Sequence, residues 1–368
     1  MKKTAIVGYG STNFTKNEVP VESLLLESAK NVFDTTRNIS QNLIDGVIVS
    51  TNDNSKYLGA ILSELTGIKP KITHSVEHLC SSGSSAIISA YSYIASGLVD
   101  VVLVSGADTI NNPGQILEWD KTRGEFEHPI FWASMFTKAH KRKFNTTEEE
   151  LAIVSAKNHK HAIDNPIAYS HKPFTISEVM NSKNITDDLR LLDCSHSCSG
   201  GTSILLASED VASQFSDEPI WISGIGQKTN SASFATNELS ELSSSITASK
   251  QAYEMARTSP NEINVAEIHD AFTVCELMAV KDLGLSGNDN ASDYIRNMFS
   301  TENRKINPRG GLIGAGHPLG ATGISQVMEI VMQLQNKAER RQIHDAKKGL
   351  IHNMSAAATS STVMILES

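Results

Sequence analysis

The chain has 368 residues, a formal net charge of −9 and 40% hydrophobic residues, values that are ordinary for a globular protein. The absence of an apolar run near the roughly 18 residues of a membrane span argues against an integral membrane protein, and the negative charge argues against a general nucleic-acid surface. The length exceeds the roughly 250–300 residues at which one hydrophobic core stops growing, so two or three domains or one large layered fold are expected.

The first 110 residues alternate strand-like runs with helical segments. The strand-like runs are "TAIVGYG", "DGVIVST", "KITHSVEH" and "DVVLVSGADT", and helices are predicted around residues 20–35, 57–66 and 82–97. This alternation predicts a mostly parallel α/β sheet. The apolar run at the N-terminus is too short for a signal peptide, so a cytoplasmic location is expected.

From Asn111 to about Leu192 the alternation gives way to loops and polar helices, with Thr147 placed to cap one of them. Residues 111–192 are therefore predicted to form an inserted domain, after which "TSILLAS" and "IWISGIG" resume as strands. After the polar linker "KTNSASFATNELSELSSS" the order of predicted strands and helices repeats. The repeat indicates an internal duplication, with halves predicted at residues 1–245 and 246–368.

The elements predicted in the second half follow the order of the first. They are a helix at about 245–257, "NVAEIHDAF" as a strand, a helix at 274–283, "GLIGAGHP" as a turn-rich entry, a helix at 321–337, and "GLIHNMSA" and "STVMILES" as strands.

Cys80 lies between a predicted strand and the small-residue helix that begins "SSGSS". A thiol at a helix N-terminus lies among unpaired backbone N–H groups, which favour a thiolate and stabilise an oxyanion. Gly83 and the serines would let a substrate approach closely. The alternative is a small buried apolar residue, the common fate of a free cysteine. The four cysteines Cys80, Cys194, Cys198 and Cys275 form no evident disulfide framework or zinc motif, so no metal site is predicted.

Three histidines follow predicted strands of the second half, where α/β folds place ligands. His269 lies in "EIHDAF", His317 in "NPRGGLIGAGHPLGATG" and His352 in "LIHNMSAAA". A lone histidine is more often structural, but six glycines around His317 carry an entropic cost that folds accept chiefly where the backbone approaches something closely. Together, the cysteine could supply a thiolate nucleophile and the three histidines could supply its base and the donors that stabilise an oxyanion.

These motifs, together with "CSSGSSAI", "HPIFWASMFTKAHKRKFNTTEEELAIVSAKNHKHAIDNPIA" and "LRLLDCS", resemble the thiolases from end to end. The likeness is to the branch that includes the thiolase domain of sterol carrier protein and the archaeal acetoacetyl-CoA thiolases. It implies an α/β thiolase fold of five layers, αβαβα, built from two duplicated halves with an inserted loop domain. It also implies a homodimer and a CoA or acyl carrier protein thioester as substrate, with no bound cofactor.

The resemblance implies a catalytic role for Cys80, His317 and His269. Cys80 is the expected nucleophile, His317 of the GHP motif holds or deprotonates the thiol, and His269 contributes to the oxyanion site. The backbone N–H of Cys80 is expected to stabilise the oxyanion, by about 3 kcal/mol in comparable sites.

The chain departs from the thiolase pattern at the second base. The family's second cysteine, which removes the α-proton of the second acyl group, is missing. We predict that His352 replaces it, with Cys275, four residues after Ala271, as the other candidate. Ser199-Gly200 stands where the family has Asp-Gly. The C-terminal glycine pair is replaced by "SAAA" at 355–358, and because alanine disfavours positive φ, an altered loop is expected.

A basic cluster in the inserted domain is a candidate site for CoA or for the phosphopantetheine of an acyl carrier protein. The residues predicted to contact CoA are Lys141 and His161 of this cluster and Gly311 and Gly316 of the glycine-rich motif. The alternative interpretation of the basic cluster is a solvated helix face. The cluster comprises Lys138, His140, Lys141, Arg142, Lys143, Lys157, Lys160, His161 and Lys172.

The leading hypothesis is a thiolase-type acyltransferase in which Cys80 accepts an acyl group and passes it to a carbon nucleophile, to CoA or to a small biosynthetic acceptor. A decarboxylating ketosynthase is less consistent, because "HDAFT" stands where that family has "HGTGT". The hypothesis from another class is a non-catalytic thiolase-like subunit that binds CoA thioesters or scaffolds a complex, beside a small zinc-ribbon and OB-fold partner. Intact Cys80, His269 and His317 argue against pure scaffolding.

Overall fold

The computed structural model describes residues 1–110, 128–231, 236, 238–355 and 357–368. The strands are β1 (Thr4–Ser11), β2 (Gly46–Ser50), β3 (Ile72–Val76), β4 (Val101–Asp108), β5 (Gly200–Ser208), β6 (Ile220–Thr229), β7 (Val265–Glu267), β8 (Lys348–Ser355) and β9 (Ser360–Glu367). The helices are α1 (Val21–Thr35), α2 (Leu58–Thr66), α3 (Ser82–Ala95), α4 (Pro129–Phe144), α5 (Glu148–Ala162), α6 (Ile176–Met180), α7 (Ala212–Phe215), α8 (Ser243–Ala256), α9 (Thr273–Asp282), α10 (Ala291–Ser300), α11 (Gly311–Ala315) and α12 (Leu319–Leu334).

The described strands form one nine-stranded sheet in the order β3-β2-β4-β5-β1-β6-β9-β8-β7. Read towards the middle of the sheet, β7-β8-β9-β6 repeats β2-β4-β5-β1, with β3 added at the edge of the first half. The two sets join where Ala5 and Ile6 pair with Trp221 and Ile220. This repeat of strand order confirms the duplicated halves. The boundary near residue 245 stays a prediction.

The expectation of a mostly parallel sheet is wrong, because the sheet is mixed. β2 runs parallel to β3 and β4, whereas β5 runs antiparallel to both β1 and β4. Similarly, β9 runs antiparallel to β6 and β8. An apolar run marks a buried strand but carries no information on its direction.

The helices complete five layers around the two half-sheets. α1 and α2 cover the outer face of the first half, and α8 and α9 cover the outer face of the second. α3 and α12 pack on each other between the halves, in a continuous apolar core with the inner faces of the strands. The αβαβα fold expected from the resemblance is thus confirmed.

The small residues after Cys80 serve the crossing of α3 and α12. A Cβ on Gly83 would lie 2.9 Å from the backbone oxygen of Gly320, and a Cβ on Gly323 would collide with the hydroxyl of Ser84. Backbones this close leave room only for glycine and serine. These residues therefore admit α12 rather than a substrate, and they bring the segment before α12, which carries His317, against Cys80.

Local differences from the sequence prediction concern short elements. Only residues 265–267 of "NVAEIHDAF" are a strand, "GLIGAGHP" contains the short helix α11, and α10 was not predicted. The cap at Thr147 is confirmed, because its hydroxyl accepts the Glu150 N–H while the Glu150 carboxylate accepts the Thr147 N–H. Part of the predicted insertion, residues 111–127, lies outside the described residues. In the described part of the chain, every helix is too short or too polar to cross a membrane.

Candidate active site

Cys80 lies in a single helical turn, Leu79–Ser81, directly before α3. Leu79 has a left-handed φ of 49°, which is uncommon for a residue with a branched side chain. Its N–H donates to the carboxylate of Glu77 at 2.7 Å. Residues held in such conformations cluster at functional sites, and the turn presents the Cys80 side chain, 5% exposed, to a pocket.

The thiol of Cys80 is paired with His317, with Sγ and Nε2 3.0 Å apart. On the other side of the ring, Nδ1 lies 2.7 Å from the hydroxyl oxygen of Thr322, and that hydroxyl donates to the carbonyl of Pro318. The Thr322 oxygen therefore accepts from Nδ1–H, which leaves the Nε2 lone pair facing the thiol. Burial, together with the positive charge of Arg309, lowers the pKa of His317 to about 3, so the ring is a neutral base at ordinary pH.

His269 lies at right angles to His317, with ring centroids 5.3 Å apart. The sulfur of Cys80 and one ring nitrogen from each of His269 and His317 lie within 4.8 Å of one another. Nδ1 of His269 contacts the side-chain amide nitrogen of Asn353 at 3.0 Å. Burial lowers the pKa of His269 well below its usual value, so the thiol is surrounded by two neutral imidazoles.

A buried polar network holds the segments that carry both histidines. Asn158 donates to Asp270 and to Glu276, each at 2.7 Å, and Asn307 donates to Glu276 at 2.8 Å. Lys157 forms an ion pair with Glu276 at 2.9 Å, and both side chains are almost fully buried. The network therefore joins α5 and α9 to the histidine segments.

Asp270, the neighbour of His269, ties the two segments together. Its carboxylate accepts the N–H groups of Leu312 and Ile313 at the start of α11. Burial, reinforced by the negative charge of Glu276, raises the pKa of Asp270 to about 7. A Cβ on Gly311 would collide with this carboxylate, so the glycine of the motif is required for the contact.

The pocket in front of Cys80 has a volume of about 140 Å³ and mostly apolar walls. None of its described lining residues is Asp, Glu, Lys or Arg. Sequence reasoning did not assign His128, Trp132, Phe272 or Cys194 to it. Only the position of His128 carried a signal, because Pro129 after it is typical of the first position of a helix. Nδ1 of His128 accepts the Ile130 N–H at 3.3 Å and so caps that helix. The lining residues are Cys80, His128, Pro129, Ile130, Trp132, Cys194, Ser195, Ser197, His269, Ala271, Phe272, His317, Leu319, Met354, Ser355, Ala357 and Ala358.

Comparison with known proteins supports the same chemistry. A model of the thiolase N-terminal domain matches residues 4–202, and a model of a thiolase C-terminal domain-like family matches residues 226–368. The chain belongs to the thiolase family. With Cys80, His269 and His317 in place, it is a thiolase-type acyltransferase.

Individual relatives agree with the family models. The thiolase is 31% identical to an acetyl-CoA acetyltransferase of Methanothermobacter thermautotrophicus over 322 residues, which cover 84% of each chain. It is 29% identical to sterol carrier protein 2 of Bos taurus over 384 residues, 95% of this chain and 69% of that protein. Among solved structures, the Ltp2-ChsH2(DUF35) aldolase has the same fold, with a TM-score of 0.88 at 23% identity over 100% of this chain and 98% of that chain.

The structure does not bring the predicted second base, His352, to the pocket of this thiolase. Successive side chains of a strand point to opposite faces, so in β8 Asn353 points inwards and His352 points outwards. There Nε2 of His352 lies 2.9 Å from the hydroxyl of Ser245 on α8, and its Nδ1 accepts the backbone N–H of His269 at 3.4 Å. The other candidate, Cys275, is fully buried in α9, and burial raises the pKa of its thiol.

The predicted CoA contacts Lys141 and His161 also lie away from the pocket. Lys141 faces Asp188 at 3.5 Å and Glu148 at 3.9 Å. His161 is buried, with Nδ1 3.0 Å from the carbonyl oxygen of Asn307.

The basic cluster as a whole does not form one cationic patch, because its members make separate contacts. Lys157 is buried with Glu276, and Lys160 pairs with Glu302 at 2.7 Å. Gly316 is required by packing, since a Cβ there would lie 2.8 Å from the sulfur of Cys198.

The C-terminal loop keeps a left-handed backbone without glycine. Ala357 and Ala358 line the pocket with φ of 61° and 56°. This conformation costs an L-residue roughly 1–2 kcal/mol. Strain of this kind persists where the surroundings fix it, here beside the nucleophile.

Replacing Ala358 with Gly is expected to stabilise the thiolase by up to about 1 kcal/mol, because the relief of strain exceeds the roughly 0.4–1 kcal/mol of added unfolded-state entropy. Urea unfolding measures the change. The matched control is Ala248→Gly in the right-handed helix α8, which is expected to destabilise by about 1 kcal/mol or more. Equal losses for both variants would contradict the assignment of strain.

Acid is expected to destabilise the fold partly through His352. Burial lowers the pKa of His352 to about 3, against about 6.5 in an unfolded chain. Below pH 6.5 the unfolded chain binds a proton that the native state excludes, so stability falls as pH falls from about 6.5 towards 3, by up to about 1.4 kcal/mol per unit. His352→Gln should reduce this slope in urea unfolding between pH 6 and 4, and an unchanged slope would contradict the contribution of His352.

Proposed function

We propose that Cys80 carries the acyl group as a covalent thioester and that an acyl-CoA is the donor. The observation that supports this most directly is the 3.0 Å contact between Cys80 Sγ and the lone-pair nitrogen of His317. In this reaction the thiol proton moves to Nε2 of His317 and the sulfur attacks the thioester carbonyl. The carbonyl carbon gains a bond to Cys80 and loses its bond to the CoA sulfur, which takes the proton back from His317.

The acceptor is proposed to be CoA or a carbon nucleophile, as in the acetyl-CoA acetyltransferases to which the chain is similar. A second candidate is transfer to a small non-CoA acceptor. It is favoured by the second thiol in the described lining of the pocket, because burial raises the pKa of Cys194 to about 12 and so disfavours its thiolate as a second base. An uncharged, apolar acceptor fits the walls best.

A homodimer and a small zinc-ribbon and OB-fold partner remain predictions from the family resemblance. Edge strand β3 supports the dimer, because it is paired on one side only, with β2, and such edges recruit a second chain. The alternative of a non-catalytic subunit is less well supported, because a scaffold does not need a nucleophile, a base and a third aligned imidazole in one pocket.

The test is intact-protein mass spectrometry after incubation with acetyl-CoA. The expected result is one adduct of about 42 Da, the mass gained when an acetyl group replaces the thiol hydrogen, that free CoA removes. An acyl carrier protein thioester is tested in parallel. The absence of an adduct from acetyl-CoA, longer acyl-CoAs and carrier-protein thioesters would overturn the proposal.

A further inference from the structure

One contact indicates which ring nitrogen of His269 carries the proton. Its Nδ1 lies 3.0 Å from Nδ2 of Asn353, and an amide nitrogen only donates hydrogen bonds. Nδ1 must therefore accept, and in a neutral ring the proton is then on Nε2. Burial keeps the ring neutral by lowering the pKa of His269 well below its usual value.

Ser84 contacts the other end of the Asn353 amide. Its hydroxyl on α3 donates to Oδ1 of Asn353 at 3.0 Å, and in this orientation Nδ2 faces the imidazole. A Cβ on Gly323 would lie 3.0 Å from that Oδ1 and would collide with Ser84 Oγ. Ser84 and Asn353 are fully buried, so water does not compete for these atoms.

The two imidazoles therefore turn Nε2 to the pocket in different states, as a lone pair on His317 and as an N–H on His269. His317 offers a lone pair to the thiol of Cys80, as its contact with Thr322 requires. His269 has its Nδ1 occupied by Asn353, which leaves Nε2–H for the pocket. A tetrahedral oxyanion is stabilised by N–H groups and repelled by lone pairs.

We propose that Asn353, aligned by Ser84, is a positioning residue that holds His269 in the tautomer whose Nε2–H stabilises the oxyanion formed on acylation of Cys80. The inference rests on the proposed acyl-cysteine chemistry. It predicts that the acylation rate of Cys80 depends on whether the atom facing Nδ1 of His269 is a hydrogen-bond donor or acceptor, and not only on the volume of the side chain at position 353.

The decisive variant is Asn353→Asp, which has nearly the same shape. A carboxylate only accepts, so it draws the proton to Nδ1 and raises the pKa of His269. Below that pKa the imidazolium still has an Nε2–H. Above it the neutral ring keeps Nδ1–H for the carboxylate and turns a lone pair to the pocket. Acylation should therefore fall as pH rises in this variant.

The rate of acylation of Cys80 by acetyl-CoA is measured by quenched mass spectrometry from pH 5 to 9. Asn353→Asp is expected to lose at least about tenfold between the low and the high end, and Asn353→Leu about tenfold at every pH, relative to the unmodified chain. Asn165→Asp is the matched control, since Asn165 is a buried amide whose Nδ2 donates to the Arg309 carbonyl. It should add no new pH dependence, and thermal unfolding verifies that each variant is folded.

Nitrogen-15 chemical shifts of labelled histidines provide a readout that does not depend on activity. With the resonances of His269 assigned from His269→Gln, the unmodified chain should show an unprotonated Nδ1 and a protonated Nε2, and Ser84→Ala should mix the two tautomers. A protonated Nδ1, or a pH profile of Asn353→Asp equal to that of the unmodified chain, would overturn the inference. Failure of the unmodified chain to acylate would instead count against the proposed function, while the tautomer remains testable.

Discussion

Replacing Cys80 with Ala is expected to abolish acyl transfer, with a loss of at least about a thousandfold in turnover. The substitution removes the only atom in the proposed mechanism that bonds to the acyl carbon, and the remaining groups of such a unit give only residual catalysis. Turnover with acetyl-CoA and the mass of the protein after incubation measure the effect. Turnover within tenfold of the unmodified chain would contradict the role of Cys80.

His317→Asn separates the nucleophile from its base. The thiol remains, so a single acyl adduct is still expected, but it should form about 10²–10⁴-fold more slowly. Because the pKa of His317 is lowered to about 3, the unmodified pair should show no loss of the base between pH 5 and 8. In the variant the rate should instead rise with pH, since only thiolate formed without the base reacts.

His352→Asn tests the other histidine proposed from the sequence, which lies outside the pocket lining and contacts Ser245 and the backbone N–H of His269. It should lose less acylation rate than His317→Asn, because His352 does not touch the thiol. The matched control is His140→Asn, a buried histidine bonded to Thr146 away from the pocket, which should acylate at nearly the rate of the unmodified chain. A large loss in His352→Asn and a small one in His317→Asn would reverse the assignment of the base.

The residues of the site were predictable where small residues or glycines flank a reactive side chain. Cys80 and His317, which are 237 residues apart in sequence, were both identified in this way. Cys80 does follow a strand, β3, whereas the strand predicted before His317 is absent and His317 lies between α11 and α12. What the pattern did not contain was the reason for the small residues. Gly83 is required by the backbone of α12, a contact that local sequence does not reveal.

The failed site predictions share a physical origin. His352 and Asn353 are adjacent in β8, and a shift of one residue decides which of them points to the central layer and contacts the ring of His269. The sequence marked both positions but not the register. Likewise, the lysines of α5 form one run in sequence, but Lys157 points into the core and Lys160 points to solvent, because helix positions three apart still differ in burial when the helix is packed on two sides.

A large loss of stability outside the pocket is expected from Lys157→Met. Lys157 and Glu276 form an ion pair at 2.9 Å with side-chain exposures of 1% and 0%. Removal of one partner leaves an uncompensated buried charge, at a cost of about 3–5 kcal/mol. Urea unfolding with linear extrapolation measures it.

Lys160→Met is the matched control, because the same substitution one helical turn along removes an exposed pair, with Glu302. Exposed pairs contribute about 0–1 kcal/mol, so the two variants should differ by at least about 2 kcal/mol. A loss below about 1 kcal/mol for Lys157→Met would show that the hydrogen bonds from Asn158 and Asn307 are enough to stabilise the Glu276 side chain without the lysine.

The double variant Lys157→Met, Glu276→Gln distinguishes the charge from the volume of Lys157. A neutral amide at position 276 still accepts from Asn158 and Asn307, which donate to the carboxylate at 2.7 and 2.8 Å. Part of the stability should therefore return, because no buried charge remains unpaired. Since Asn307 also accepts the N–H of Ile268 at 2.8 Å, next to His269, the single variant should lose acylation rate as well as stability. The double variant should recover both together if the network acts by holding the histidine segment in place.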